Sequence, residues 1–364
     1  MSNRAALIAV TTAFLVGVLA ALALRPASQG TGGQGVDSSP QVRWRVPVAF
    51  ATNLPSLGDN ALYVSEQIDA VSGGRFRLEI FEPGKLVPPF SIVDAVKEGK
   101  VPAGYTWLGY DQGKLPASVL FGAVPFGPEP WAFTAWWYEA GGRELAEEIY
   151  SPLGLKPILC GIIGPETAGW FREEITSLDD VRGLKIRFAG LGGKVLQELG
   201  ASVTLLAGGE IFQALEKGAI DATEYSLPNV DQRLGFDRVA RFNYFPGWHQ
   251  PFTAAHMVVG LGAWEALREN DRALIETVCT AGVTHKLARA EALQGAVLRS
   301  FEEGPVRTLS LPPDILAELE RVTGEILARE ARANSDFARV LAHQQNFATE
   351  YALWRNLAYP KSER

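Results

Sequence analysis

Arg187 is the residue whose setting most clearly suggests chemistry. The run Gly183-Leu184-Lys185-Ile186-Arg187-Phe188 alternates in the strand period, with Ile186 and Phe188 on one face and Lys185 and Arg187 on the other. Gly190, Gly192 and Gly193 follow, and then an apolar-periodic helix carrying Val195, Leu196 and Leu199. Arg187 is therefore expected at the C-terminal end of a strand, beside the start of a helix, where open α/β sheets bind ligands. A guanidinium there can hold a carboxylate through two parallel hydrogen bonds. The glycines would let backbone N–H groups approach a small anion at the helix N-terminus. The plainer reading of Arg187 is a solvated arginine on a polar strand face.

Signatures of catalysis are scarce. There is no HExxH, no GxSxG and no Walker A motif, and His249, His256, His285 and His343 are scattered without metal-ligand spacing. Gly190-Leu191-Gly192-Gly193-Lys194-Val195, with Glu210 downstream, imitates a dinucleotide fingerprint, but Val195 stands where the third glycine belongs. An NAD-dependent oxidoreductase is thus a minor alternative. Cys160 and Cys279 are the only cysteines, which excludes a CxxC zinc site and a disulfide-dense scaffold. They are either two buried thiols or, in an exported chain, one disulfide.

The elements that must position Arg187 alternate between strand and helix. Trp44 to Phe50 reads as a strand, and Ala61, Leu62, Ile68 and Val71 as a helix stopped by Gly73-Gly74. Arg75 to Ile80 is a second strand, Ser91 to Glu98 a helix closed by Gly99, and Val101 to Trp107 another strand. This alternation predicts a largely parallel, doubly wound sheet. Ile92 to Ala103 lines up with Ile211 to Ala222 as helix, glycine stop and short strand. The two units deliver Tyr105-Thr106-Trp107 and Thr223-Glu224-Tyr225 to equivalent strand ends, which predicts two similar lobes with a cleft between them. Trp131, Trp136 and Trp137 fall in a helical region that reads as core. Leu155 to Ile163 and Ala255 to Val259 read as strands. From Trp264 the chain is expected to be nearly all helix, in segments at about 271–304, 313–334 and 336–357.

The totals fit an exported α/β protein. The 364 residues suggest about two domains, and 47% hydrophobic residues can bury a real core. A net charge of −7 argues against nucleic acid as a partner. Arg4 precedes an apolar stretch from Ala5 to Leu24 that Arg25-Pro26 stops, long enough to span a bilayer. Residues 1–25 are expected to be a signal peptide or an uncleaved anchor, and 26–41, rich in Gly, Ser and Gln, a flexible linker. The folded body is expected outside the cytoplasmic membrane, in the periplasm, free or tethered.

Gly-Trp-Phe-Arg, Gly-Leu-Lys-Ile-Arg, Ala-Leu-Glu-Lys-Gly-Ala-Ile-Asp-Ala-Thr-Glu and Tyr-Phe-Pro-Gly-Trp, in that order, closely resemble the solute-binding subunits of tripartite ATP-independent periplasmic (TRAP) transporters. The likeness runs from about Trp44 to the end and is most specific in the middle third. It implies a two-lobed periplasmic-binding-protein fold of α/β class, the Venus flytrap, with long connecting and C-terminal helices. On this chain lobe I would be 42–163 plus about 252–290, and lobe II 164–251 plus about 291–335. Residues 336–364 would form a C-terminal helix that braces the lobes or dimerises.

The resemblance further implies no catalysis. It implies a small carboxylate ligand handed to membrane permease subunits, and a possible homodimer. In the family the arginine of Gly-Leu-Lys-x-Arg, here Arg187, salt-bridges the ligand carboxylate. The branch that binds 2-oxo acids, to which this chain looks similar, bridges its ligand with a cation. By position the ligands would be Glu166, Glu224, Tyr225 and Gln250. Two depart from the pattern in opposite directions, since Glu166 replaces a glutamine and Gln250 a glutamate. The carboxylate count is unchanged, so bound Na⁺ or Ca²⁺ remains chemically sensible. The cleft wall would come from Trp170, Tyr225, Trp248, Trp107 and Tyr110. The expected ligand is a small monocarboxylate with an oxygen at C2, such as pyruvate, a longer 2-oxo acid or lactate. A sensory or scaffold module on the same fold is the alternative outside transport.

Overall fold

The computed structural model describes residues 41–358. The apolar stretch at 5–24, the expected linker up to Pro40 and residues 359–364 lie outside the described residues. Two sheets organise the described chain, and its strands are numbered β1 to β11 in order.

In the first sheet β1 (Val42–Pro47) and β2 (Phe76–Phe81) pair in parallel. A parallel bridge from Val48 to Tyr105 joins them to β3 (Ala103–Trp107). Beyond β3 the order is β10 (Thr253–Gly260) and then β4 (Leu155–Ile163), with β10 antiparallel to both neighbours. The second sheet runs β11-β9-β5-β8-β6-β7. Its strands are β5 (Gly169–Phe171), β6 (Lys185–Arg187), β7 (Ser202–Thr204), β8 (Ala222–Thr223), β9 (Phe242–Phe245) and β11 (Arg307–Ser310). Here β5 is antiparallel to β8 and β9, while β8, β6 and β7 are parallel.

The expectation of a largely parallel sheet is corrected by β10 and β5. Each is a strand of one sheet that runs against its neighbours where the chain returns between sheets. The expectation of helix alone beyond Trp264 is corrected by β11, which extends the second sheet beside β9. Its short sequence Arg307-Thr308-Leu309-Ser310, mostly exposed, offers no apolar alternation to read.

The internal echo is geometrically real. Helices Ile92–Lys97 and Gly208–Glu216 are followed by Gly99 and Gly218, both at φ 69°, a left-handed conformation in which a Cβ would be strained. The returning chains enter β3 and β8.

Helix Glu269–Glu302 runs from one sheet to the other. It packs on β4 and on helix Asp59–Ser72 of the first sheet's layer, and on helix Pro228–Leu234 and β11 of the second. Cys279 on this helix is disulfide-bonded to Cys160 on β4, so the two cysteines are paired and not free. Helix Ser335–Ala358 turns back, burying Phe337 and Val340. His343 on it accepts the Trp136 indole N–H at 2.9 Å, and Gln344 donates to the Leu120 carbonyl at 2.8 Å. The C-terminal helix therefore braces the layer containing Trp136 and Trp137, which are core as expected, whereas Trp131, at the start of the helix that carries them, is 49% exposed, which corrects its reading as core.

Removing the disulfide should lower stability. The bridge closes a loop of 119 residues, and such links typically contribute about 2–4 kcal/mol by restricting the unfolded chain. The Cys160→Ala/Cys279→Ala double variant should unfold at lower denaturant by that amount, and an unshifted midpoint would refute the contribution. Acid should act through His256 on β10, which is fully buried edge-on against Trp137 at 5.1 Å. Burial, with Lys286 nearby, holds its pKa down at about 3. The unfolded chain protonates near pH 6.5, so stability falls as pH drops below that value, by up to about 1.4 kcal/mol per unit. His256→Leu should flatten this acid limb in pH-dependent denaturation, and an acid limb as steep as the parent's would count against it.

Candidate functional site

Strand β6 has only three residues, and their burial falls off from one end. Lys185 is exposed, while Ile186 and Arg187 are buried. The alternation is as read, with Lys185 and Arg187 on one side, but that side is wet only at Lys185. Arg187 is 1% exposed, so the solvated reading of this residue fails.

Its guanidinium is held on several sides. Nη1 donates to Glu224 Oε1 at 2.6 Å and to the Glu224 carbonyl at 2.9 Å, and Nε donates to the Leu206 carbonyl at 3.1 Å. The Tyr225 ring lies under it, 5.2 Å from the guanidinium carbon. Burial pushes the Tyr110 hydroxyl up to about 12, with the Arg187 charge opposing.

Around this cation sits a nest of acids. Glu166, in the loop after β4, is 2% exposed; its Oε1 accepts the Thr253 hydroxyl at 2.7 Å and its Oε2 the Gln250 amide at 3.0 Å. Glu224, at the end of β8, is 1% exposed. Its Oε1 also accepts the Ala189 N–H at 2.6 Å, at the start of helix Gly190–Glu198. An anion does sit at this helix start, but the donor is Ala189 rather than one of the glycines, and the anion is Glu224's own carboxylate. Glu224 Oε2 has no hydrogen-bond partner.

His249 Nε2 lies 3.6 Å from Glu166 Oε2 and 3.6 Å from Glu224 Oε2. Those separations exceed a formed hydrogen bond, and neither ring nitrogen has one. Burial pushes Glu166 upward, and the Glu224 charge adds to this against His249 and Thr253. Burial also pushes Glu224 upward, but Arg187, His249 and the Ala189 N–H outweigh it and hold the carboxylate below its ordinary range. For His249 burial pushes downward, yet the two carboxylates win and raise it to about 8.

The local backbone explains the register. Glu166 N–H donates to the Gln250 carbonyl at 3.2 Å. A Cβ at position 247 would sit 2.0 Å from the Glu166 carbonyl oxygen, so only glycine lets the 247–250 turn approach Glu166 this closely.

These groups surround a hollow of about 20 Å³, lined by Trp107, Tyr110, Phe50 and Leu57 on one side and Arg187, Ala189, Glu224 and Tyr225 on the other, with Glu166, Gln250 and Thr253 between. That is room for roughly one water-sized centre. A larger open groove of about 920 Å³ lies on the surface near Arg172, Arg182 and Arg241. The small hollow is the better candidate, because it alone of the two gathers fully buried, strongly perturbed charges.

Of the residues expected at the site, Arg187, Glu166, Glu224, Tyr225, Gln250, Trp107 and Tyr110 come together here. Trp170 and Trp248 do not line the hollow. Trp170 points beneath it, where its indole N–H donates to Asp231 Oδ2 at 2.8 Å and its ring meets Phe301 edge-on at 5.2 Å. Trp248 stacks on Phe188 at 5.9 Å and packs by Phe126 at 5.7 Å. Sequence reasoning missed His249 and Thr253. The three groups near one point come from residues 166, 224 and 249, so no fixed spacing could reveal them; the adjacency of His249 to Gln250 was the one signal.

Two sheets bridged by a long helix, with a charged hollow between their strand ends, have the two-lobed α/β architecture of a periplasmic solute receptor. The model of the family described as bacterial extracellular solute-binding protein, family 7, matches residues 49–333, and the chain belongs to that family, the DctP family of TRAP solute-binding proteins. These are transporter binding proteins and not enzymes.

A monocarboxylate 2-oxoacid-binding periplasmic protein of Nostoc sp. PCC 7120 is 32% identical over 318 residues, covering 87% of each chain. A TRAP transporter solute-binding protein from Bordetella bronchiseptica, a mixed-occupancy dimer with copurified calcium and picolinate, superposes with a TM-score of 0.86. It is 30% identical and covers 88% of this chain and 95% of its own. One from Pseudoalteromonas atlantica, with bound sodium and pyruvate, gives a TM-score of 0.84 at 28% identity, over 87% of this chain and 97% of its own.

The position of Trp170 generates a test. Trp170→Phe strands a buried Asp231 oxygen and should cost about 1–3 kcal/mol, read from the denaturation midpoint. Affinity for a small carboxylate ligand, measured by calorimetry, should stay within about twofold of the parent for a side chain outside the hollow. A large affinity loss with unchanged stability would return Trp170 to the cleft wall.

Proposed function

We propose that the protein is the extracytoplasmic solute-binding subunit of a TRAP-type secondary transporter. It captures a small monocarboxylate with an oxygen at C2, namely pyruvate, a longer 2-oxo acid or lactate, together with a cation, and delivers it to the membrane permease. The observation that carries this reading is a fully buried arginine sharing one hollow with two buried carboxylates, one of which keeps an oxygen without a hydrogen-bond partner.

Arg187 holds the ligand carboxylate. A cation on Glu166, Glu224, the Tyr225 carbonyl and Gln250 meets the ligand carboxylate and C2 oxygen together, as hard oxygen donors allow. Without a cation, Glu166 and Glu224 would repel an anionic ligand. Trp107, Tyr110 and Tyr225 close the apolar side and limit chain length.

Lobe I, 42–163 plus about 252–290, contains β1–β4 and β10; lobe II, 164–251 plus about 291–335, contains β5–β9 and β11. The hollow draws residues from both. Because it is too small for a keto acid as it stands, entry requires the lobes to part, and ligand contacts with both favour the closed state that a permease would read. The 2-oxoacid-binding periplasmic relative and the sodium–pyruvate structure support this substrate class and an exported location. Among the described residues no helix is long and apolar enough to cross a membrane. Any signal or anchor is assigned to residues 1–25.

Calorimetry with pyruvate, lactate and acetate tests the reading. Acetate, which lacks the C2 oxygen, should bind at least about tenfold more weakly than pyruvate, a difference of about 1.4 kcal/mol. Arg187→Ala should lose about 2–5 kcal/mol of pyruvate affinity, as removal of one buried charge partner does. Chelation and exhaustive dialysis should weaken pyruvate binding to the parent protein. Pyruvate binding as tight in a folded Arg187→Ala protein, or acetate binding as well as pyruvate, would overturn it. The acetate and chelation measurements need no variant, so they stand even if Arg187→Ala does not fold.

A further inference from the structure

Among the described residues, two that are not glycine have positive φ, Ser56 at 61° and Phe126 at 54°. Each stands third in a turn whose second residue is proline. Leu57 N–H donates to the Leu54 carbonyl at 3.3 Å across Leu54-Pro55-Ser56-Leu57, and Gly127 N–H to the Val124 carbonyl at 2.9 Å across Val124-Pro125-Phe126-Gly127. Proline followed by a left-handed residue marks the type II turn, whose third position ordinarily takes glycine or asparagine. A serine or phenylalanine there is strained, and such strain persists where surrounding contacts over-determine it.

Those contacts follow one scheme. A type II turn differs from type I by a flip of its central peptide. In both turns that peptide carries a hydrogen bond to a distant segment. The Pro55 carbonyl accepts the Asn229 side-chain amide at 3.1 Å, and Ser56 Oγ accepts it at 3.3 Å. Phe126 N–H donates to the Trp248 carbonyl at 2.7 Å, and the Phe126 ring packs by Trp248. On the lobe assignment above, Pro55, Ser56 and Phe126 belong to lobe I, and Asn229 and Trp248 to lobe II.

The remaining groups of Asn229 are occupied within lobe II. Gln294 Nε2 donates to Asn229 Oδ1 at 2.8 Å, and Gln294 Oε1 accepts the Asn229 N–H at 3.2 Å. Gln294 thus fixes which end of the Asn229 amide faces Pro55. Neither Asn229 nor Phe126 lines the hollow, yet both contacts adjoin it along the chain, since Leu57 follows Ser56 and Gln250 lies two residues after Trp248.

We propose that the two turns form a latch between the lobes, in which Asn229 and Phe126 are positioning residues that set how long a bound carboxylate is held without touching it. This rests on the lobe assignment and receptor reading above. Parting the lobes breaks both bonds and leaves Asn229 tied to Gln294. It also frees Ser56 and Phe126 from the contacts that keep them left-handed. Closure is therefore favoured by two bonds and opposed by two strained turns, so the ligand's own contacts can decide it.

The test uses the full protein with pyruvate as probe, in the presence of Na⁺ and Ca²⁺. Asn229→Ala should release pyruvate about three- to tenfold faster in stopped-flow, the range of one hydrogen bond, with association within about twofold of the parent. A purely structural role would lower the denaturation midpoint and leave release unchanged. The Phe126 amide reports the second contact directly, because its bond crosses the lobes while that of Gly127 stays inside the turn. Hydrogen exchange resolved to single residues should show pyruvate slowing Phe126 in the parent protein and leaving Gly127 unchanged.

Release from Asn229→Ala within about twofold of the parent, a loss carried by slower association alone, or a Phe126 amide that pyruvate does not protect would each overturn the latch and leave the transport reading standing. The Phe126 measurement needs no variant, so it decides if Asn229→Ala does not fold. If the parent binds no pyruvate, the substrate reading fails and ligand-free exchange decides the latch: faster Phe126 exchange in Asn229→Ala supports it, and equal exchange overturns it.

Discussion

A positive and a negative charge buried together, Arg187 against Glu224, set the terms for the rest of the molecule. Each is 1% exposed and they touch at 2.6 Å. Removing two such charges from water is expensive, and their attraction offsets the cost only where further hydrogen bonds satisfy what remains. The protein supplies those bonds from backbone: the carbonyls of Leu206 and Glu224 for the guanidinium, and the N–H of Ala189 for the carboxylate. Backbone donors and acceptors fixed by β6, β8 and a helix start cannot drift, so the pair is held by secondary structure as much as by itself. A second acid, Glu166, and an imidazole then crowd the same space. The geometry is costly as a fold and sensible as a receptor, because an incoming anion and cation can take over contacts that the protein now makes to itself.

This demand for precision explains why the two layers are joined as they are. Helix Glu269–Glu302 lies along both, and its first half is tied to β4 by the disulfide. The first sheet is thereby stiffened where β3, β4 and β10 end near the hollow. The second half packs on the Pro228–Leu234 helix, whose Asp231 holds Trp170 and accepts the Ser226 N–H just past Tyr225. A tilt between layers would therefore move Glu224 and Tyr225 as a unit, relative to Trp107 and Tyr110. That is what a closing receptor requires: rigid halves and movement concentrated between them.

The parts legible in sequence were those with a local period or a forced backbone. The β6 alternation, the two glycine stops at 99 and 218, the three long C-terminal helices and the position of Arg187 all came from rules that act over a few residues. Strands β5, β7 and β11 have three or four residues each and show no alternation over so short a run; pairing with neighbours, and not propensity, makes them strands. The Cys160–Cys279 pairing was left open because 119 residues of separation carry no signal. Trp170 lies four residues after Glu166 in the sequence but does not share its hollow. The positive φ of 137° at Gly169 lies between them, and Trp170 turns into the core beneath the hollow. His249 was missed because its partners are contributed by other segments.

Glutamate at 166 and glutamine at 250, where the resemblance implies the reverse pair, have a physical reading in the contact between them. The two side chains are hydrogen-bonded to each other, the Gln250 amide donating to Glu166 Oε2 at 3.0 Å. An amide–carboxylate pair keeps this bond when its two members change places. The exchange therefore leaves the charge of the nest and the bond between the two side chains intact, with the Thr253 hydroxyl 2.7 Å from Glu166 Oε1 and 3.4 Å from Gln250 Oε1. It also leaves the acid next to His249, whose nitrogen now faces Glu166 and Glu224 equally. Either residue changed alone would alter the buried charge by one unit, against a fixed arginine and a fixed imidazole. What the hollow constrains is thus the sum of charges and the hydrogen bond joining two positions, and residue identity at either position follows from the other.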